Sequence, residues 1–253
     1  MPKAFMKSYL IYGKLEEISI RALAGALLNN LYIDQEIPSD KYADIVYEMD
    51  IPLNVIPTEP VIKMAKKDHV EAFFRDGTLQ LGTFDYYNGF DHEEIGDSAE
   101  GSFVLVGCSP SQTAFAEMGG GFNNYVFCCY AGEPDGMCIK RFGYDSYFEI
   151  VDVLGFAKAI QSQIDAMKRW HGKCAYSKDK VLLGSTPPNF DFNVLSHRQL
   201  DMVNMSKYFI KPSTYSHQSE FRFIWQMRSD VEKPLIIKCP KAVKFCRKSA
   251  IPA

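Results

Sequence analysis

The chain has 253 residues, of which 47% are hydrophobic and 23% charged, a composition typical of a globular protein. Its formal net charge of −3 excludes a protein dominated by non-specific attraction to phosphate, although a local basic groove remains compatible with it. No apolar run is long enough to cross a bilayer, and Gly13 and Lys14 end the N-terminal apolar run without a small-residue cleavage site. We therefore expect neither a membrane span nor a secretory signal. The seven cysteines show no zinc-finger spacing and no C-x-x-C pair, which predicts reduced thiols in a cytoplasmic protein.

Residues 1–55 are predicted to form a helical N-terminal segment. In "LEEISIRALAGALLNNLY" the apolar residues recur at roughly helical spacing, and "SDKYADIVYEM" follows with Ser39 as a candidate N-cap. The next stretch, "IPLNVIPTEP", carries three prolines and is typical of an extended connector. A second domain is therefore predicted over residues 56–253.

The first half of this second domain alternates short elements. "VIKMAK" and "TLQLGTF" are predicted strands, and "DHVEAFFRDG" between them is a predicted helix with a capping box at Asp68 and Glu71 and a C-terminal cap at Gly77. "SFVLVG" and "NNYVFCCYA" are further predicted strands, separated by the predicted loop "SPSQTAFAEMGGG". "MCIKRF" is another strand candidate.

The second half contains the clearest helix of the chain, "VLGFAKAIQSQIDAMKRW", with an apolar stripe at helical spacing. "KVLLGS" and "KPLIIKCPKAVKFC" supply predicted strands, the latter with a basic end. Strands outnumber helices after residue 60, and no regular crossover helices separate them. This favours an α+β fold with mostly antiparallel sheets and flanking helices, preceded by the N-terminal helical segment.

Near the C-terminus, "YSHQSEFRFIWQM" alternates like a strand with one aromatic face. Its other face is predicted to present Gln218, Glu220 and Arg222 together. A carboxylate there could accept a hydrogen bond from a sugar hydroxyl and stabilise positive charge on a ribose ring. The alternative is a solvated strand face with a Glu–Arg pair that contributes little.

The "QSE" of this segment resembles the third motif of the ADP-ribosyltransferases, "E/Q-x-E", whose second acid is catalytic. "QSEFRFIW" also looks like a segment of a poorly characterised group of bacterial and phage proteins, whose front-end pattern corresponds here to "FFRDGTLQLGTFDYYNGFD". The resemblance implies an ADP-ribosyltransferase-like fold, with NAD as substrate, no metal, and a protein or nucleic-acid acceptor. A toxin or defence role would follow from it.

Carried over by position, the resemblance makes Glu220 the catalytic acid and Gln218 the residue that orients the acceptor. Lys63 in "VIKMAK" is the candidate for the first motif of the transferases, which is Arg, His or Tyr there. Their middle "S-T-S" motif has no clear counterpart in this sequence. Tyr86 and Tyr87 offer a stacking face for a nicotinamide or a base. The residues expected to bind NAD are Lys63, Tyr86, Tyr87 and Arg222.

Two other functions remain open because of the acidic stretch at residues 85–100, which contains no Lys or Arg. The first is a non-catalytic inhibitor or adaptor whose acidic loop covers a basic surface on a protein partner. The second is a metal-dependent nuclease, which would need these carboxylates to converge with Glu220. A solvated loop is the structural alternative, since the spacing is not that of an EF-hand.

Overall fold

In a computed structural model, the chain divides into two compact units. The structure describes residues 5–12, 15–16, 57–89, 100–133, 136–177, 180–194 and 207–249. Unit 1 comprises Met1–Ile51, Ala99–Gly121 and Ala175–Ser216, and unit 2 comprises Pro52–Ser98, Phe122–Cys174 and His217–Ala253. Each unit is thus assembled from segments that are distant in sequence.

The described strands of unit 1 form two sheets. The larger sheet has the order β1 (Phe5–Tyr12), β5 (Gln112–Gly119), β4 (Ser102–Cys108) and β10 (Val181–Ser185), with β4 and β10 parallel and the other pairs antiparallel. A short parallel pair joins β9 (Ala175–Ser177) and β11 (Ile210–Pro212). Two 3-10 turns, Phe192–Val194 and Ser213–Gln218, lie nearby in sequence.

Unit 2 is built on one eight-stranded sheet. Its main path runs β13 (Leu235–Lys238), β3 (Thr78–Thr83), β6 (Asn124–Tyr130), β2 (Val61–Ala65), β7 (Ser146–Ile150) and β14 (Cys246–Lys248). A branch adds β12 (Glu220–Gln226) beside β6, and β8 (Lys168–Lys173) beside β12. All of these pairs are antiparallel.

The helices of unit 2 are α1 (Lys67–Asp76), α2 (Phe84–Asn88), α3 (Gly136–Arg141), α4 (Val153–Ile164) and α5 (Pro240–Val243). One face of the sheet and the buried sides of α1 and α4 form the main core, which includes Phe73, Phe156 and Phe223. Burying each such side chain contributes about 1.5–3 kcal/mol. The α+β class with mostly antiparallel sheets is therefore confirmed.

Local sequence explains one boundary of each of the two longer helices, the C-terminal end of α1 and the N-terminal end of α4. Gly77 closes α1 with φ +76 and donates its N–H to the carbonyl of Phe73 at 2.7 Å, as predicted. The capping box predicted at Asp68 and Glu71 is wrong, because the N-cap is Lys66 and makes no side-chain capping bond. Asp152 is the N-cap of α4, and its carboxylate accepts from the Gly155 N–H at 2.8 Å.

Several predicted elements are corrected. The predicted loop at residues 109–121 contains β5, a fully buried strand that pairs with β1 and β4. The predicted strand "MCIKRF" lies largely within the helix α3. The helix predicted through residue 170 ends at Ile164, because Asp165 adopts a left-handed conformation with φ 53.

The helical N-terminal segment predicted over residues 1–55 is not confirmed. Phe5–Tyr12 form the strand β1, and most of the two stretches on which the helical prediction depended lie outside the described residues.

Candidate active site

The sheet of unit 2 divides along one edge of β6. On one side β6 pairs with β12 over its whole length. On the other side it pairs with β3 only at Val126 and Tyr125, and with β2 only at Tyr130. Between these points, the ammonium group of Lys63 donates to the carbonyl of Cys128 at 2.9 Å and lies 4.5 Å from the centre of the Phe127 ring. Where β2 and β3 diverge along β6, the side chain of Lys63 therefore hydrogen-bonds to the β6 backbone in place of a strand.

A cleft of about 290 Å³ opens at this division. Strands β2, β3, β6, β7 and β13 and helices α1 and α2 contribute to its wall, and its basic residues are Lys63, Lys66 and His69. None of the described residues that line the cleft is acidic. The remaining wall is mostly apolar and aromatic, so the cleft suits a small ligand with a flat ring and negative charge.

Two tyrosines on α2 form one wall of the cleft. Thr83 caps this helix by accepting from the Tyr86 N–H at 3.1 Å, which fixes the residues that follow. The rings of Tyr86 and Tyr87 lie 5.4 Å apart and nearly perpendicular. Gly82 on β3 leaves the space that Tyr87 fills, since a Cβ atom there would lie 2.7 Å from the Tyr87 ring.

Glu220 and Arg222 form a buried ion pair at the beginning of β12. The Nε atom of Arg222 donates to Oε1 of Glu220 at 2.5 Å, and the two residues are only 1% and 6% exposed, respectively. In register, Arg222 lies opposite Cys128 on β6 and opposite Gly172 on β8. The alternative of a solvated strand face is therefore wrong, because residues 220–225 of β12 are buried on both faces.

Cys128 and Tyr87 lie near this pair. Cys128 is opposite Arg222 on the neighbouring strand, and the ring of Tyr87 packs over Gly82 and lines the cleft. Burial, followed by the nearby Glu220 charge, raises the pKa of Cys128 to about 12. Burial first, and then its Cys128 neighbour, raises the pKa of Tyr87 well above its ordinary value. Both groups are therefore protonated donors at neutral pH.

The structure places the predicted site residues in three positions. Lys63, Tyr86 and Tyr87 line the cleft together. Glu220 and Arg222 do not line it, although Cys128 and Tyr87 lie near them. Gln218 is not on the strand: it ends a 3-10 turn and is 4% exposed. Alternation fails between residues 218 and 220 because Ser219 has a positive φ of 40.

Sequence reasoning missed Cys128, Lys66 and His69 as parts of this site. Cys128 belongs to the cysteines predicted only as reduced thiols, and its pairing with Arg222 depends on a strand register that joins distant segments. Lys66 and His69 are brought to the cleft by the turn into α1. The one available signal is their closeness in sequence to Lys63, since four basic residues, Lys63, Lys66, Lys67 and His69, fall within residues 63–69.

The acidic stretch is only partly described, because residues 90–99 lie outside the described residues. Asp85 belongs to α2, and Glu100 is 5% exposed and lies 3.9 Å from the ammonium group of the buried Lys180. Glu100 is therefore not part of a solvated loop. Among the described residues, no group of three or more His, Cys, Asp or Glu side chains is arranged to hold a metal ion. The metal-dependent nuclease stays a prediction.

Comparisons with known proteins do not assign the chain to a family. No protein-family model, curated protein or solved structure matches it. In the parts of the chain that the structure describes, no helix has the length and apolarity to cross a bilayer. Six cysteines of the described residues form no disulfide.

Proposed function

We propose that the protein binds NAD in the cleft of unit 2 and transfers its ADP-ribose to a macromolecular acceptor, a protein or a nucleic acid. The observation that carries this proposal is the closeness of the cleft to the buried acid. Tyr87 lines the cleft and packs over Gly82, on the sheet face that also carries Cys128 and Glu220. A cytoplasmic location and a role as a toxin or in defence belong to the same proposal.

The cleft chemistry supports a nucleotide as the ligand. Lys63 and Lys66 supply positive charge for the phosphates, and Tyr86 and Tyr87 supply rings on which a base or nicotinamide stacks. Such stacking contributes about 1–3 kcal/mol per base. The cleft volume of about 290 Å³ is near the lower limit for ligand pockets, about 300 Å³, so it accommodates one half of the dinucleotide.

In the proposed reaction, the bond between C1′ of the ribose and the nicotinamide nitrogen breaks, and nicotinamide leaves with the bonding electrons. The Glu220 carboxylate accepts a hydrogen bond from the ribose 2′-hydroxyl and stabilises the positive charge that develops on the ring. Arg222, on the same strand, donates a hydrogen bond to this carboxylate and fixes its orientation. The acceptor nucleophile then bonds to C1′ and loses its proton, and Gln218 orients it.

A second candidate function is nucleotide binding without cleavage. It is favoured by the position of Glu220, which is paired with Arg222 and does not line the cleft. In that case the protein recognises the nucleotide through the cleft alone, and the Glu220–Arg222 pair is structural. The non-catalytic inhibitor or adaptor, with an acidic loop at residues 85–100 that covers a basic surface on a protein partner, is a separate hypothesis and stays a prediction.

Incubation of the protein with NAD, with free nicotinamide measured by chromatography, tests the proposal. We expect release by the wild type and a loss of at least about a hundredfold in Glu220→Gln. The matched control is Glu71→Gln, because Glu71 is a surface residue whose partner is the half-exposed Lys248. The two tryptophans, Trp170 and Trp225, both lie in unit 2, so their fluorescence reports whether each variant is folded.

Calorimetry with NAD separates the two candidate functions. For the transferase, Glu220→Gln binds NAD and does not release nicotinamide, whereas Lys63→Met and Lys66→Met lose affinity. Equal release by wild type and Glu220→Gln would show that Glu220 is not the catalytic acid. Binding by the wild type without any release would favour the non-catalytic function.

A further inference from the structure

One wall of the cleft combines an amide with apolar and aromatic groups. Gln80 and Gly82 lie two residues apart on β3, so they share one face of that strand. The ring of Tyr87 packs over Gly82 and thus lies beside Gln80. Ile236 is directly opposite Gln80 in the pairing of β3 with β13 and is 69% exposed. We call Gln80, Tyr87 and Ile236, which all line the cleft, the amide wall.

The chemistry of the amide wall matches that of adenine. Gln80 has the only side-chain amide among the described residues that line the cleft. An amide offers a donor and an acceptor side by side, which is the arrangement that pairs with the N6 and N7 atoms of adenine. Tyr87 and Ile236 supply aromatic and apolar surface for the faces of the ring. The wall therefore has a partner for both the edge and the faces of this base.

The charge of the cleft distinguishes the two halves of NAD. Lys63 is half-buried, and its ammonium group donates to the Cys128 carbonyl at 2.9 Å, whereas Lys66 and His69 are exposed at the start of α1. The nicotinamide ring of NAD is a cation, and adenine is neutral. In a volume of about 290 Å³ a cationic ring lies close to the Lys63 ammonium, and the described lining residues include no carboxylate to offset the repulsion. The cleft therefore favours the adenine half.

We propose that the cleft is an adenylate site, which binds adenine on the amide wall and the adjoining phosphate beside the basic side chains. The nicotinamide riboside half of NAD then lies outside the cleft. This placement agrees with the position of Glu220, which does not line the cleft, because the bond that breaks belongs to the outer half. The choice of NAD as the dinucleotide rests on the proposed function, whereas the preference for an adenylate requires no turnover.

Calorimetry of the full chain with three mononucleotides tests the effect of ring charge. AMP, nicotinamide mononucleotide and reduced nicotinamide mononucleotide each carry one ribose and one phosphate, and only the second has a cationic ring. We expect AMP to bind at least about tenfold more tightly than nicotinamide mononucleotide, with the reduced form in between. In Lys63→Met this ratio should fall, because the repelling charge is removed. No binding of AMP, or binding of nicotinamide mononucleotide as tight as that of AMP or of the reduced form, would overturn the adenylate site.

Substitution of Gln80 tests the amide wall. Gln80 is exposed, so Gln80→Leu removes the amide without opening a cavity, and we expect it to lower the affinity for AMP about tenfold. The matched control is Gln163→Leu, since Gln163 is an exposed glutamine on α4 that does not line the cleft. Equal affinity for AMP in Gln80→Leu and the control would overturn the contact with the base.

The same measurements separate this inference from the proposed function. A protein that binds AMP as expected but releases no nicotinamide from NAD would contradict only the proposed transfer reaction. A protein that releases nicotinamide and prefers nicotinamide mononucleotide to AMP would instead overturn only the adenylate site.

Discussion

The Glu220–Arg222 pair offers a prediction whose magnitude follows from its burial. Arg222 and Glu220 are 1% and 6% exposed, and their Nε and Oε1 atoms are 2.5 Å apart, so they form a buried ion pair. Replacing only one of them by methionine breaks this buried pair, which costs about 3–5 kcal/mol. We expect Arg222→Met and Glu220→Met each to lower the folding equilibrium constant by more than about a hundredfold. The double variant, which buries no charge, should lie within about 1 kcal/mol of the wild type.

The wild type, the two single variants and the double variant form a double-mutant cycle. Urea unfolding followed by tryptophan fluorescence measures the stability of each protein in unit 2, where both tryptophans lie. Trp225 is fully buried and donates to the carbonyl of Ala157 at 3.0 Å, so its emission depends on an intact core. The expected coupling is large, because the two single costs do not add in the double variant. A double variant that loses the sum of both single costs would refute the interpretation of a mutually compensating buried pair.

Three further predictions concern other parts of the fold. Gly77→Ala should destabilise unit 2 by at least about 2 kcal/mol in urea unfolding, because φ is +76 and a Cβ atom would lie 2.3 Å from the Cys239 carbonyl carbon; a smaller loss would contradict the close contact. Hydrogen bonds from the Thr78 side chain and other donors lower the pKa of Asp76 to about 2, so its stabilisation is present above about pH 4 and is lost as the pH falls towards 2. In Asp76→Asn the melting temperature should therefore depend less on pH across that range than in the wild type. An equal pH dependence in both proteins would contradict this prediction. Burial lowers the pKa of Lys207 to about 8, so the unfolded chain binds more protons above that pH, and stability followed by circular dichroism should rise from pH 8 towards 10.5 in the wild type but not in Lys207→Met.

The sequence allowed the hydrophobic faces of several elements to be predicted, because those faces follow local periodicity. Phe221, Phe223 and Trp225 pack in the main core as the alternation of β12 indicates. Strand β5 escaped prediction because "QTAFAEMG" lacks β-branched residues except Thr113, and pairing with strands on both sides overrides its weak propensity. Gln218 was misplaced because one residue with positive φ, Ser219, interrupts the alternation.

The candidate site was only partly predictable for a related reason. Residue chemistry alone selected Lys63, Tyr86 and Tyr87, and the structure brings all three to one cleft. The division of the sheet beside Cys128 depends on where β2 and β3 pair with β6, which is a property of long-range pairing. No local pattern encodes that register, so the closeness of Tyr87 to the sheet face that carries Glu220 could not be predicted.

A crystal structure of the protein soaked with NAD tests the central claim most directly. The account predicts a nicotinamide or base against Tyr86 and Tyr87, phosphate near Lys63 and Lys66, and a ribose hydroxyl within hydrogen-bonding distance of Glu220. NAD bound away from this cleft, or bound in it with Glu220 still in contact only with protein groups, would contradict the assignment of Glu220 as the catalytic acid.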